Sequence, residues 1–278
     1  MKTNKFLKAS LVFSAFIALS LMAFKPINKT ANPDKPFGGL ALYTVRDAMM
    51  KDARATLEKV AQAGYVNVES AGYNNGKFYN LSPADFKALL DEMKLTPISA
   101  HQGTVTFANV DQQIADLKTA GFKYFVIPVP PMGTFIYDPV KKSMGMKGGA
   151  KTLAATLNTL GQKCKDAGLE LLYHNHDFEF SQKLDGVTVF DLILDNTDPN
   201  LVTQQLDIGN MINGGGQPEE ILKKYPGRFV SMHVKDEILS QAGHEKYEST
   251  ILGTGIIKVR DMVNLGLTKG GTKHLIIE

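Results

Sequence analysis

The chain has 278 residues, 44% of them hydrophobic and 21% charged, with a formal net charge of +3. That length can bury a large core, and no low-complexity tract interrupts it. No basic stripe with interleaved aromatics appears, so nucleic acid is excluded as an expected partner.

Residues 1–24 read as a signal peptide. Lys2, Lys5 and Lys8 precede an apolar stretch from Leu11 to Phe24 that is short for a bilayer span. The expected location is periplasmic or secreted, with no stable membrane association after cleavage; an uncleaved anchor is the alternative. Residues 25–36, with Lys25, Pro26, Pro33 and Pro36, read as a linker. The single cysteine, Cys164, lies within a helical pattern and can form no internal disulfide.

From Phe37 onward strand and helix patterns alternate. Strands are predicted near 38–43, 66–70, 97–101, 124–129, 171–176, 202–207, 229–234 and 274–278. Helices are predicted near 47–63, 82–94, 110–120, 150–167, 187–196, 217–225 and 257–265, with Ser82-Pro83 a capping signal for the second. Helical patterns end in Ala63-Gly64, Ala120-Gly121 and Ala167-Gly168, each just before the next strand, and in Leu265-Gly266, a few residues before the last one. Glycine in the left-handed conformation ends a helix there and a short loop feeds the next parallel strand.

Eight strands and seven helices predict an α/β protein, a (β/α)8 TIM barrel over 37–278 short of its last helix. A doubly wound open sheet is the alternative, disfavoured because Leu42-Tyr43-Thr44-Val45-Arg46-Asp47 stands where a Gly-rich phosphate loop would follow the first strand. The chain stops at Glu278, the end of the eighth predicted strand. The expectation is a C-terminally truncated barrel with an open seam exposing the edges of strands 1 and 8.

Four metal-compatible side chains close short apolar runs. The runs are Leu171 to Glu179, Val202 to Asp207, Phe229 to His233 and His274 to Glu278. Active sites of parallel barrels lie where strands finish, so three carboxylates and one imidazole meeting there form an oxygen-rich site for a divalent cation.

The strand ends resemble the sugar phosphate isomerase/epimerase family of xylose-isomerase-like TIM barrels. The matching segments are Leu42 to Arg46, Val68-Glu69, Tyr173 to Phe180, Leu206 to Asn210, His233 to Asp236, Gly253 to Gly255 and Ile276 to Glu278. The resemblance implies one divalent metal ion (Mn, Co, Mg or Zn) held by Glu179, Asp207, His233 and Glu278. On strand 5 His176 competes with Glu179 for that role. The resemblance also implies a small-molecule carbohydrate substrate, and the signal peptide favours an unphosphorylated one. Oligomeric state is left open.

The remaining polar residues divide by position. His174 and His176 share one face of strand 5 and read as binders of substrate hydroxyls or as supports for the ligands. Glu69 and His101 end strands 2 and 3 and read as substrate-binding pocket walls or as supports for the ligands. Arg46 either binds substrate oxygens or forms a salt bridge at the barrel top. Lys235 shares the face of His233 and is aimed at substrate, against the alternative of a solvated charge. His274 begins strand 8 at the opposite end and reads as structural, His244 falls in a polar loop, and Pro128–Gly149 is long enough to serve as a substrate lid.

The expected chemistry is isomerisation or epimerisation by proton abstraction beside a metal-polarised carbonyl, with Glu179 and Glu278 as bases on opposite faces and Lys235 assisting. A lyase or dehydratase acting on a keto-sugar or 3-keto-glycoside is the alternative, and a non-catalytic carbohydrate-binding barrel is the third reading.

Overall fold

The computed structural model describes residues 38–141, 143–240 and 246–278. The signal peptide and linker assigned to 1–36, and His244, lie outside the described residues.

Eight parallel strands close a barrel: β1 (Gly39–Ala41), β2 (Asn67–Ser70), β3 (Thr96–His101), β4 (Tyr124–Ile127), β5 (Glu170–His174), β6 (Val202–Asp207), β7 (Phe229–Val234) and β8 (His274–Ile277). The longer helices among the described residues are α1 (Ala53–Gln62), α2 (Pro83–Glu92), α3 (Val110–Thr119), α4 (Ala150–Asp166), α5 (Val189–Asn196), α6 (Pro218–Lys224) and α7 (Val259–Leu265), with shorter helical segments at Arg46–Lys51, Phe178–Ser181 and Ile208–Asn213. This is the expected TIM barrel, with β1 beside β8 and β2.

The seam is closed, which corrects the expectation of exposed edges. Gly39 pairs with Ile276 and Leu40 with Ile277. The physical reason is close approach: a Cβ on Gly39 would stand 2.9 Å from the Leu275 carbonyl oxygen. Only a residue without a side chain lets the two backbones meet there.

Helix boundaries follow local chemistry. The helix predicted over 47–63 breaks into Arg46–Lys51 and α1, because Asp52 turns extended and caps α1 by accepting from the Ala55 amide at 2.9 Å. Ser82 caps α2 through the Asp85 amide, with Pro83 in its first turn, as its sequence implies. Gly64, Gly121 and Gly168 are left-handed (φ 95°, 83° and 80°). At the fourth junction the helix continues past Gly266 in a π-turn, and Gly271 (φ 80°) makes the turn instead.

Most of the core lies between strands and helices, where Leu57, Phe86, Leu90, Leu117, Phe125, Leu157 and Tyr173 are buried. A separate cluster of Ile98, Tyr124, Val126, Leu172 and Val230 lies on the other strand faces. Leu172 stands two residues before His174 on the same face, so this cluster floors the polar layer above it.

Two bulges position that layer. Between β2 and β3 the register steps so that Glu69 opposes Ser99, and between β6 and β7 it steps so that Gln205 opposes Ser231. Ile98 and Val230 are the extra residues. A bulge re-aims side chains, and here each long polar group faces a small serine.

Pro128–Gly149 carries an antiparallel hairpin, Phe135–Asp138 with Ser143–Met146. Gln182, beyond β5, donates to the Met144 carbonyl at 3.3 Å and fastens that hairpin to the segment following β5.

Candidate active site

Asp207, His233 and Glu278 meet at the carboxyl ends of β6, β7 and β8. Each offers a ligand atom, and these atoms lie within 4.8 Å of one another. Asp207 ends β6 and opens the short helix Ile208–Asn213, its Oδ1 accepting from the Asn210 amide at 2.8 Å. That bond leaves Oδ2 turned to the barrel mouth, 3.6 Å from His233 Nδ1. Glu278 Oε2 approaches the same nitrogen at 2.5 Å, outside hydrogen-bond geometry.

Two of these atoms carry the inference of a metal. Asp207 Oδ2 and His233 Nδ1 are buried and make no hydrogen bond of regular geometry; their near neighbours are the charged groups of Lys235 and Glu278. Two buried ligand atoms facing each other, with a second carboxylate beside them and no directed hydrogen bond of their own, are chemically matched to a cation.

Lys235 joins the carboxylates, its Nζ 3.2 Å from Asp207 Oδ2 and 3.4 Å from Glu278 Oε1. Burial disfavours its charge, but Asp207 and Glu278 outweigh that and raise its pKa, so it is an ammonium. Burial likewise opposes ionisation of Asp207, and Lys235 with His233 overcomes it, holding the carboxyl below its ordinary value. Glu278 is also lowered, against burial, chiefly by His233.

Beneath this triad lies a buried polar layer. His233 Nε2 meets Glu69 Oε1 at 2.6 Å, and His101 Nε2 meets the same oxygen at 3.1 Å. Ser99 Oγ and Gln205 Nε2 both donate to Glu69 Oε2 at 2.5 Å. Despite burial, the charges of His101 and His233 hold Glu69 well below the ordinary carboxylate range. His174 stands beside the layer with Nδ1 3.0 Å from Gln205 Oε1 and Nε2 3.9 Å from Asp207 Oδ2. Burial first, then the neighbouring histidines, lower its pKa well below the ordinary value.

Of the residues expected from sequence, the structure brings together Asp207, His233, Glu278, Lys235, His174, Glu69 and His101. His176 sits next to them, its ring 5.1 Å from that of His174 and its buried Nδ1 without a partner. Burial lowers its pKa to about 4.

Glu179 is placed outside the ligand cluster, which corrects the metal role expected of it. β5 ends at His174, and Phe178–Ser181 forms a helical turn whose Phe178 and Phe180 are buried. The turn directs Glu179 to the Tyr173 hydroxyl, which donates to it at 2.6 Å, and to the His176 amide, which donates at 2.9 Å. Tyr173 is one residue from His174 and faces the opposite side of the strand. Glu179 is therefore not in the ligand cluster, and the arrangement of two bases on opposite faces is absent among the described residues. Arg46 is exposed, stacks on Tyr43 at 4.5 Å and donates to its carbonyl.

Sequence reading missed Gln205. Its signal was a Gln-Gln pair inside a buried strand, where a carboxamide must find partners. A cleft of about 530 Å³ lined by Met50, Arg54 and Glu92 lies between α1 and α2, and Arg54 pairs with Glu92 there.

The fully buried Glu179 carboxyl is raised to about 8, chiefly by burial. Its folded value lies above the ordinary 4.5, so its contribution to stability is full below pH 4.5 and is lost as pH rises to about 8. Glu179→Gln preserves both bonds, with the amide donating to Tyr173 and its oxygen accepting from His176. Thermal melts from pH 5 to 9 on the two proteins should show the wild type losing stability through this window and the variant holding it. Parallel curves would contradict the assignment.

No family model matches this chain. It is similar to inosose dehydratases: 30% identical over 183 residues to that of Clostridium perfringens, and 26% over 196 residues to that of Geobacillus kaustophilus. These matches cover 60% and 65% of this chain, and 60% of the length of each relative. Among solved structures, a sugar phosphate isomerase/epimerase from Parabacteroides distasonis superposes with a TM-score of 0.67 at 25% identity, covering 91% of this chain and 89% of the other. A xylose isomerase-like TIM barrel protein from Mycobacterium smegmatis in complex with magnesium gives 0.63 at 14% identity, covering 88% and 90%. The structural neighbours share the xylose-isomerase-like TIM-barrel fold.

Proposed function

We propose that this protein is a divalent-metal-dependent lyase that removes water from a keto-sugar or keto-polyol. The observation that carries the metal is the convergence of three buried or half-buried ligand atoms, from Asp207, His233 and Glu278, within 4.8 Å of one another. Asp207, His233 and Glu278 would hold the ion. When bound there, it polarises a substrate carbonyl and stabilises the negative charge that develops on that oxygen.

Elimination is favoured over epimerisation by the position of Glu179. Inverting a carbon centre by proton transfer calls for a base on one face and an acid on the other. The second carboxylate expected for that role points to Tyr173 instead. Glu278 and Lys235 stand together on one wall, 3.4 Å apart, which suits removal of a proton and departure of a hydroxyl from the same side. The named activity of the sequence relatives, dehydration of an inosose, points the same way.

Glu278 takes the proton from the carbon beside the carbonyl. The electron pair of that C–H bond passes first to the carbonyl oxygen, then returns to form a carbon–carbon double bond as the C–O bond to the β-hydroxyl breaks. The Lys235 ammonium gives a proton to the departing oxygen, which leaves as water. Glu278 then returns its proton to Lys235. His176, whose Nδ1 has no hydrogen-bond partner, would accept a hydrogen bond from a substrate hydroxyl.

Incubating the metal-loaded protein with inososes and other keto-polyols in D2O and following products by NMR tests the proposal. Loss of water with formation of an unsaturated ketone is expected. Deuterium incorporation with an intact hydroxyl set supports the isomerase or epimerase reading shared by the structural neighbours. Neither exchange nor metal binding supports a carbohydrate-binding barrel.

A further inference from the structure

The buried layer beneath the metal ligands has a hydrogen-bond logic of its own. Glu69 as a carboxylate can only accept. Its Oε2 lies 2.5 Å from the Gln205 amide, so the amide must present its NH2 there and not its oxygen. The second hydrogen of that NH2 goes to Ser231 Oγ at 3.3 Å. The orientation of Gln205 is therefore determined by its partners. Its oxygen faces two imidazoles, His101 Nε2 at 2.9 Å and His174 Nδ1 at 3.0 Å. An amide oxygen accepts and cannot donate, so both of those nitrogens carry hydrogen.

A neutral imidazole has one N–H, and for His174 that hydrogen is thereby assigned to Nδ1. The lone pair is left on Nε2, the atom 3.9 Å from Asp207 Oδ2. We propose that Gln205 is a positioning residue that locks His174 as the Nδ1–H tautomer and so makes His174 Nε2 a fourth ligand of the ion held by Asp207, His233 and Glu278. Glu69 does the same for His233: accepting from Nε2 at 2.6 Å, it leaves Nδ1 to the ion. The two bulges belong to this device, since they set Glu69 opposite Ser99 and Gln205 opposite Ser231. The fourth position is then filled from β5 itself, in place of the carboxylate that its sequence suggested.

The inference rests on the metal reading above, and the experiment separates the two. In metal-free protein labelled with 15N-histidine, long-range 1H–15N spectra report the tautomer of His174 directly. Hydrogen on Nδ1 is expected, and hydrogen on Nε2 overturns the proposal whether or not any metal binds. Titration with Zn2+ is expected to move the Nε2 resonance of His174. Gln205→Met removes the acceptor at similar size. It should mix the His174 tautomers and weaken Zn2+ binding by about 10–100-fold, the usual effect of losing a partner that orients a ligand. An unchanged tautomer with an unchanged Kd overturns the proposal.

Should Gln205→Met fail to fold, His174→Ala and His176→Ala give the same decision. His174→Ala is expected to lose at least tenfold in Zn2+ affinity, with His176→Ala near wild type; the reverse order excludes His174 as the ligand. Failure of wild type to bind Zn2+, Mn2+ or Mg2+ at all would remove the metal reading while leaving the tautomer assignment to stand or fall on its own spectrum.

Discussion

Asp207→Asn is expected to abolish binding of the divalent ion and to lower turnover by about three orders of magnitude or more, the scale of several kcal/mol of charge stabilisation. The substitution is chosen for what it preserves. Oδ1 of Asp207 accepts from the Asn210 amide and starts the helix Ile208–Asn213, and an asparagine oxygen can do the same. Only Oδ2 changes, from a lone-pair donor into an NH2 that repels a cation. Metal stoichiometry by mass spectrometry, read beside the circular dichroism spectrum, is the check. A folded variant that keeps a full equivalent of metal would remove Asp207 from the site.

His233→Ala should also release the ion, at a greater cost to stability. His233 faces Glu69 at 2.6 Å in a fully buried setting. Removing one partner of a buried charged pair leaves the other unpaired, an effect of about 3–5 kcal/mol in other proteins. His101, at 3.1 Å from the same oxygen, reduces the loss. Comparison of the two variants thus separates the ligand role from the structural one.

The legible parts of this molecule were those set by neighbours in sequence. Strand ends could be read because Asp207 and His233 each close an apolar run, and Ala-Gly junctions mark helix ends by backbone chemistry alone. Glu179 shows where that logic fails. Phe178 and Phe180 alternate with it as in a strand, yet a short helical turn buries the same two rings, and tertiary packing chose the turn. Gln205 shows another limit. Its inward direction depends on a register step against β7, which belongs to a strand pair and not to either strand. Arg46 had two readings from sequence, and its nearest aromatic, Tyr43, took it to the surface.

The position of Lys235 leads to the second large effect. Its ammonium lies between two carboxylates of the ligand set, at 3.2 and 3.4 Å, with the side chain 12% exposed. It therefore stands where a departing hydroxyl could take a proton, and it would compete with a bound ion for the same oxygens. Lys235→Met keeps the buried stem and removes only the charge. Dehydration should fall by about 10²–10⁴-fold, the usual contribution of a general acid. Metal affinity should rise or hold, because one competing positive charge is gone. In the proposed mechanism proton abstraction by Glu278 does not use the Lys235 proton, so deuterium exchange beside the carbonyl should persist while loss of water stalls. An NMR time course on the ketone substrate in D2O measures both rates in one sample. Exchange and elimination falling together would place Lys235 at the first proton transfer, and wild-type rates for both would place it outside the chemistry.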